Sequence, residues 1–556
     1  MKRFLKYGVA FLVFSLITIF ILVNRFLEPV LRERLHTLII QGSDSLYTYR
    51  LGRLNASFFG GSVEVENLHI QVDSNRFRAL QATNALPALT LQLDLQRGHI
   101  RGIGILPLVF QKRIVIREIL SREANVRLSR HLRTGERAIG ASGPVPLWKA
   151  LQPGISSISI GRIHLDGIKM LYRNADTSES VKLQFDRCVA RINDVKVDSL
   201  SSSDTARIGF ASDISLLFND LKFRTPDSSY KLKAETIAYS STGKTLEVTA
   251  FKIQPTREDT ASFYAHTGRQ ATMYRAEFSR ARFTGFSLDR FIHSNIIVAD
   301  SIIFEKPELD LYNDRTLPGV FDSKVGKFPH QILLRANSRI RVKHFLIDSM
   351  HLRYAEKARK TLEEGAIELK NIRVNASNVT NDPEWIRKDP LCRAEAQGMI
   401  LGSSPLKASF TFYLDSANGR FDAQGQVQQV SAAQLNAVSE PLANVQIRSL
   451  ALQRLDFRMT GEDFSVTGRV GMVYRDLSVV LRKRDEETGE VETKKLLTKL
   501  LNKFVLYPSN PGPDGNVRVS ESYRVARLST TPFFGLVWKT IFTGMQNVMM
   551  KSGRYE

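Results

Sequence analysis

The chain has 556 residues, 43% of them hydrophobic, and carries 78 Lys and Arg against 56 Asp and Glu, a formal net charge of +22. This composition is that of a folded protein and excludes a wholly disordered chain. The length predicts about three domains or one long repetitive unit.

The positive charge favours an anionic partner, either acidic lipid or nucleic acid, and is equally compatible with a solvated basic surface. Lys and Arg are scattered along the whole chain and form no basic arm, which argues against a nucleic-acid partner. Cys188 and Cys392 lie far apart and lack metal-ligand spacing. We therefore expect neither a metal site nor a disulfide framework.

An uncharged apolar run follows Lys2, Arg3 and Lys6 and extends over residues 7–23. As a helix it would be about 26 Å long, enough to cross most of a bilayer core. A cleaved signal peptide is the alternative, but the run is longer than a typical signal core and no small-x-small cleavage site follows it. We predict a transmembrane anchor over residues 1–24, with these residues in the span: Tyr7, Phe11, Leu16, Phe20 and Val23.

Leucines continue at helical spacing beyond the anchor, which predicts a juxtamembrane amphipathic helix over residues 25–50. No second apolar stretch of spanning length follows in the sequence. We expect a cytoplasmic N-terminus and the bulk of the chain on the other side of the membrane, because a single span crosses the bilayer once.

From residue 51 to residue 480 the apolar period changes from that of a helix to that of a strand, with Gly, Asn and Asp at short intervals. Strands and helices do not alternate regularly, so a parallel α/β sheet is not expected. The pattern predicts a mainly β protein with an elongated, curved, repetitive antiparallel sheet over residues 51–480.

One spacing recurs in this region, with apolar residues at relative positions 0, 2, 5 and 7. An interval of three moves a side chain to the other face of a regular strand unless a bulge or a tight hairpin intervenes. With such a device each set lies on one face. We predict that one apolar face of the sheet is formed by Val63, Val65, Leu68 and Ile70; by Ile158, Ile160, Ile163 and Leu165; and by Ile340, Val342, Phe345 and Ile347. The alternative is a series of β-sandwiches whose apolar faces close on each other.

The same spacing is part of a longer internal similarity. Residues 158–172 align without gaps with residues 340–354, and looser copies begin at Ile114 and Ile297. Self-similarity of this kind predicts structural repeats.

Residues 481–556 depart from the β pattern and are predicted to form helices and loops. After Pro532, apolar residues recur on one face of a predicted helix, namely Phe534, Val537, Trp538, Ile541 and Met545. The helix is interpreted either as an end-cap packed on the last sheet or as an interfacial helix at a lipid headgroup boundary.

No convincing nucleophile–base set, carboxylate pair, metal-ligand cluster or phosphate loop occurs in the sequence. His164 and Asp166 share one face of a predicted strand, which is half of what a metal or acid–base site needs. A solvated strand face is the simpler interpretation. We expect no enzymatic activity and no cofactor, and a hydrolase is the least favoured class.

Several segments together resemble the AsmA-like proteins, the Gram-negative relatives of the bridge-like lipid transfer proteins. These segments are the apolar N-terminal run, the entry segment 51–65, the internal repeats, and four C-terminal stretches at 435–442, 455–461, 473–479 and 533–539. The resemblance covers essentially the whole chain through degenerate motifs. It implies a single-pass inner-membrane anchor and a periplasmic β-groove, with no catalytic residues. The floor of that groove would hold acyl chains and would be lipid-binding, and in this chain the three apolar sets named above would form it.

The function that this resemblance implies is binding and conduction of phospholipid between the inner and outer membranes, which contributes to outer-membrane homeostasis. The expected partners are phospholipid, the inner membrane, and the outer membrane or its proteins. The alternative is a non-enzymatic structural or assembly factor for outer-membrane proteins that uses the β region as a scaffold.

Overall fold

The computed structural model describes residues 29, 32, 33, 36, 39, 40, 43–57, 60–83, 85–87, 89–131, 156–174, 182–198, 207, 210–225, 227–484 and 491–551. The predicted anchor, with Tyr7, Phe11, Leu16, Phe20 and Val23, lies outside these residues. Within the described part of the chain, no helix is both long enough and apolar enough to span a membrane. The chain divides into two compact units, Met1–Val248 and Thr249–Glu556.

The predicted juxtamembrane helix is described only in part. Residues 29, 32, 33 and 36 are helical. The predicted boundary at residue 50 is wrong, because the first strand already begins at Tyr47. Tyr47 and Tyr49 alternate with polar residues there, and aromatic residues in alternation favour a strand.

Among its described residues from Tyr47 onward, the first unit contains eight complete strands, two short helices and the start of a ninth strand, in which the boundary between the units falls. The elements are β1 (Tyr47–Ser57), β2 (Ser62–Val72), α1 (Ser74–Ala82), β3 (Leu89–Ile103), α2 (Ile105–Gln111), β4 (Arg113–Arg130), β5 (Ser157–Asn174), β6 (Lys182–Val197), β7 (Asp213–Arg224), β8 (Tyr230–Ser240) and β9 (Thr245–Pro255).

Neighbouring strands from β1 to β8 pair in chain order. All these pairs are antiparallel except β4 and β5, which are parallel. The prediction of a mainly β fold is confirmed, whereas the prediction of an antiparallel sheet is wrong because the sheet is mixed. The period of side chains along a strand is the same for both directions of pairing, so the periodicity could not distinguish them.

The second unit contains the remaining strands and helices. They are α3 (Thr260–Thr267), β10 (Thr272–Thr284), α4 (Leu288–Ser294), β11 (Ile296–Glu305), β12 (Glu308–Asp314), α5 (Pro329–Leu334), β13 (Arg339–Lys357), β14 (Glu364–Thr380), α6 (Pro383–Lys388), β15 (Leu391–Ile400), β16 (Ser404–Tyr413), β17 (Phe421–Ser431), α7 (Ala432–Ala443), β18 (Val445–Gly461), β19 (Ser465–Arg484), β20 (Val491–Thr493), α8 (Lys495–Leu500), a π-helical turn (Leu501–Val505), β21 (Tyr523–Ala526) and α9 (Phe533–Met549).

Strands β13 to β19 form a meander of antiparallel neighbours, and β20 and β21 both pair with β19. On the other side of β13, β11 and β12 pair with it in succession, and both pairs are parallel. The predicted helical segment 481–556 therefore also contains the end of β19, β20 and β21, which corrects that boundary.

The predicted repeats are neighbouring strands in this structure. The copies that begin at Ile114 and Ile158 are β4 and β5, and these two residues are register partners. The copies that begin at Ile297 and Ile340 are β11 and β13, and these two residues are register partners as well. Each repeat therefore pairs with its nearest copy in the same unit, in parallel and without offset.

The backbone supports this equivalence. Glu123, Gly167, Lys306 and Ser349 occupy the same position in the four copies, and all have a positive φ, of 57°, 68°, 47° and 57° respectively. Positive φ is uncommon for residues other than glycine. Its recurrence at one position indicates that the four copies share a backbone conformation as well as an apolar pattern.

The closed core of the second unit lies between the sheet and α9. One face of β16–β19 packs against α9 through side chains that include Phe457, Val470 and Leu536, and Leu536 is fully buried. Phe328, which precedes α5, joins this core, with its ring 5.1 Å from that of Phe533 and 5.5 Å from that of Phe421. Gly544 faces Val470 where a Cβ atom would collide with it, so this glycine sets the distance between helix and sheet.

A buried histidine in this core makes stability depend on pH. His330 is 2% exposed, and burial lowers its pKa from 6.5 to about 4. The unfolded chain binds this proton more tightly, so the stabilising contribution is complete above pH 6.5 and is lost as pH falls towards 4. We expect His330→Phe to remove up to about 3 kcal/mol of the acid-induced loss of stability.

Urea denaturation of the full chain at several pH values between neutrality and pH 4 measures this difference. His344→Phe is the control, because His344 is exposed and its ring is not in the core. The same pH dependence in the parent protein and in His330→Phe would contradict the assignment.

Candidate functional site

One face of the first unit is apolar along rows of side chains that start at β1 and end at β7 or at β8, depending on the row. Register partners in neighbouring strands point to the same side of a sheet, so the apolar face can be read along transverse rows. One row runs through Ala56, Val63, Ile100, Ile119, Ile163, Ile192 and Ile214. A second row runs through Leu51, Leu68, Leu95, Ala124, Ile168, Cys188, Phe218 and Ile237.

These rows place two of the predicted sets together. Val63 of β2 is in the same row as Ile163 of β5, and Val65 is in the same row as Leu165. The sheet thus brings together residues that are about a hundred positions apart in the sequence.

The intervals of three coincide with residues of left-handed backbone conformation. Asn67 lies between Val65 and Leu68 with a φ of 53°, and Asp194 lies between Ile192 and Val195 with a φ of 49°. A left-handed residue within a strand displaces the alternation of side chains by one position, as in a β-bulge. Apolar residues on both sides of the interval can therefore point to the same face.

The interval in β5 has no left-handed residue of its own. Gly161 lies there, opposite Asp194 of β6. A ring contact supports the face assignment at the next interval of β6, between Phe185 and Cys188. Phe218 of β7 is the register partner of Cys188, but its ring centroid lies 4.9 Å from that of Phe185. Phe185 and Cys188 therefore point to the same face.

The third predicted set lies in the second unit. Ile340, Val342, Phe345 and Ile347 of β13 have as partners on β14 or β11 the apolar residues Ile297, Val379, Ala376 and Val374. Asn378, with a φ of 57°, is opposite the interval between Val342 and Phe345. Aromatic rings continue this face, since Phe251, Phe278, Phe304 and Phe345 follow one another with centroids 4.8, 5.1 and 5.7 Å apart.

Most of the predicted floor residues are partly exposed in both units, and only Leu68 and Val342 are buried. In the second unit, however, the face of β16–β19 lies in the closed core under α9. A contiguous apolar face that keeps contact with solvent is unusual in a folded protein and marks an interaction surface.

The opposite face of the first unit is charged. Arg162 pairs with Glu118 at 3.2 Å, and Arg187 pairs with Asp166 at 2.8 Å. The hydrogen bond from Arg187 lowers the pKa of Asp166. Asp166, which the sequence offered as half of an acid–base site with His164, is therefore already engaged in an ion pair on this face.

No group of side chains that suits a metal ion occurs in the described part of the chain. Both cysteines are buried free thiols, and burial raises the pKa of each to about 11. A thiol with a raised pKa is a poor nucleophile and a poor metal ligand.

Helix α9 has two different apolar faces. Val537 is buried in the core, together with Phe533 and Leu536, which were not predicted. Phe534 and Trp538 are 67% and 49% exposed, whereas Ile541 and Met545 are partly buried. The helix therefore caps the sheet, as one interpretation expected, and it also exposes aromatic side chains, as the other interpretation required.

The sequence did not lead us to predict a second exposed apolar surface, which the structure shows on α8 and the π-helical turn. Leu496, Leu497 and Leu500 of α8 and Phe504 of the π-helical turn are all at least 42% exposed. Lysines alternate with them in the sequence KKLLTKLLNKF of residues 494–504. The sequence signal was the regular mixture of lysine and leucine, which is typical of interfacial helices.

No known protein-family profile matches this chain, and no curated protein is significantly similar to it.

Proposed function

We propose that this protein is a membrane-anchored envelope protein that binds phospholipid on the apolar face of its first unit and conducts it between the inner and outer membranes. The observation that carries this proposal is the set of transverse apolar rows on β1–β8, most of whose side chains remain partly exposed, although Leu68, Ala124 and Cys188 are buried. An enzyme would need a polar cluster, and Asp166, the nearest candidate, is held by Arg187.

Acyl chains bind to such a face without specific contacts. Each methylene group that leaves water contributes about 0.8 kcal/mol, whichever aliphatic side chain it meets. Since neighbouring rows offer equivalent surfaces, an acyl chain can move from one row to the next at low cost. The charged headgroup stays in water.

Two exposed surfaces support contact with a bilayer. Phe534 and Trp538 on α9 and the leucines of α8 are apolar, and Lys495, Lys499 and Lys503 adjoin the latter. Apolar side chains next to lysines suit the boundary between acyl chains and anionic headgroups. Contact of these surfaces with a membrane is part of the proposal.

A second candidate function is that of a structural or assembly factor for outer-membrane proteins. The closed core under α9 favours it, because that part of the apolar face is not available to lipid. The two functions differ in whether lipid occupies the first unit.

A photo-crosslinking amino acid at Ile160 should capture phospholipid in cells, because this side chain is on the apolar face. At Ser159, the adjacent residue on the charged face, it should capture little or none. Thin-layer chromatography or mass spectrometry of the crosslinked product measures the difference. Native mass spectrometry of the parent protein in mild detergent should also find bound phospholipid.

Equal capture at the two positions would contradict the face assignment. A parent protein free of phospholipid, with no crosslink at either position, would favour the assembly factor.

A further inference from the structure

The face of β13–β19 that points away from the closed core contains an open cavity of about 1230 Å³. One transverse row of register partners crosses it, and every member of the row lines the cavity. The row consists of Ile303, Leu346, Asn375, Glu395, Ser409, Gln424, Arg458 and Arg469. The surface therefore changes from aliphatic at β11 to doubly cationic at β18 and β19.

Arg458 and Arg469 are directly opposite each other on β18 and β19. Like charges at directly opposite positions of an antiparallel pair destabilise the sheet. Arg458 donates a hydrogen bond of 3.3 Å to the side-chain oxygen of Gln424. Within the described chain neither arginine has a carboxylate partner, so no described side chain neutralises this repulsion.

The other charges of the cavity are largely balanced. Arg373 pairs with Asp348 at 3.2 Å, and Arg454 pairs with Asp456 at 2.6 Å. The remaining lining charges are the cations Lys407, Arg458 and Arg469 and the single carboxylate of Glu395. The cavity thus keeps an excess of two positive charges.

We propose that this cavity binds a phosphate monoester, with Arg458 and Arg469 as the principal ligands. Two guanidinium groups can each donate parallel hydrogen bonds to phosphate oxygens. An anion between them replaces repulsion by attraction. A phosphate monoester carries a charge of about −1.5 to −2 at neutral pH, which matches the excess better than a single carboxylate does. The amide of Gln424 and the hydroxyl of Ser409 supply neutral hydrogen-bonding groups in the same row.

This proposal does not depend on lipid conduction, because the cavity is in the second unit, whereas the proposed lipid-binding face is in the first. The phosphate monoester can belong to a soluble ester or to the headgroup of phosphatidic acid, and the chemistry of recognition is the same. The choice of probes distinguishes these sources.

Isothermal titration calorimetry of the full chain in an uncharged detergent tests the proposal. The probes are inorganic phosphate, glycerol 3-phosphate and dihexanoyl phosphatidic acid. We expect saturable binding of at least one probe, weakened about tenfold or more in Arg458→Gln and in Arg469→Gln. Binding of the first two probes assigns a soluble ester, whereas binding of the third alone assigns a lipid headgroup.

Arg448→Gln is the matched control, because Arg448 is an exposed arginine of β18 that does not line the cavity. Its affinity should equal that of the parent protein. The melting temperature without ligand should not fall in Arg469→Gln, because the substitution removes a like-charge contact. Absence of saturable binding of all three probes, or equal weakening in Arg448→Gln, would overturn the proposal. Intact binding in both cavity variants would overturn it as well.

Discussion

Replacement of Leu536 by Asp should abolish the folded state of the second unit. Leu536 is fully buried between α9 and the sheet, where a carboxylate would have neither water nor a cationic partner. The cost is several kcal/mol for the buried charge in addition to the lost apolar contacts, against a total stability of about 5–15 kcal/mol for a typical domain. Thermal unfolding of the full chain, followed by circular dichroism, should lose a transition.

Phe534→Asp is the control for this substitution. It changes the same helix two residues earlier, at a side chain that is 67% exposed. The change in stability should stay within about 0.5 kcal/mol. If Leu536→Asp were as stable as this control, the closed core under α9 would be refuted.

Replacement of Ile160 by Asp should have the opposite profile, with a large loss of bound phospholipid and a small loss of stability. Ile160 is partly exposed on the apolar face of the first unit, so a carboxylate there can remain hydrated. The lost burial costs about 1–2 kcal/mol. Acyl chains that cross this row would meet a charge, and we expect the ratio of co-purified phospholipid to protein to fall several-fold.

Ser159→Asp is the matched control, because it places the same charge one residue away on the opposite face, where Lys196 is the register partner. Its lipid content should equal that of the parent protein. Unfolding of Ile160→Asp to the extent expected for Leu536→Asp would mean that the face is a closed core. Lipid conduction along it would then be untenable.

The apolar intervals of three were visible in the sequence, and the left-handed residues that accommodate them were visible in part. Asn67 and Asp194 are residue types that tolerate positive φ, and they lie within such intervals. Glu123 has a positive φ although its residue type does not favour one. Its conformation follows from pairing with neighbouring strands, which is a long-range constraint.

The exposed and buried faces of α9 could not be assigned from the sequence. Phe533, Phe534, Leu536, Val537 and Trp538 are almost continuous, so the helix has apolar residues on most of its circumference. Only the position of the sheet decides that Leu536 is buried and Trp538 is exposed. The amphipathic pattern therefore predicted the helix but selected partly wrong residues for its exposed face.

The sequence by itself determined where strands form, that they alternate apolar and polar residues, and which segments repeat one another. These properties depend on residues a few positions apart, whose side chains share a face by the geometry of a strand. The tertiary structure decided the direction of strand pairing, as in the parallel pair β4–β5. It also decided which part of the apolar face is covered by a helix, as β16–β19 are by α9. Both depend on contacts between residues distant in the chain, and a local period carries no information about such contacts.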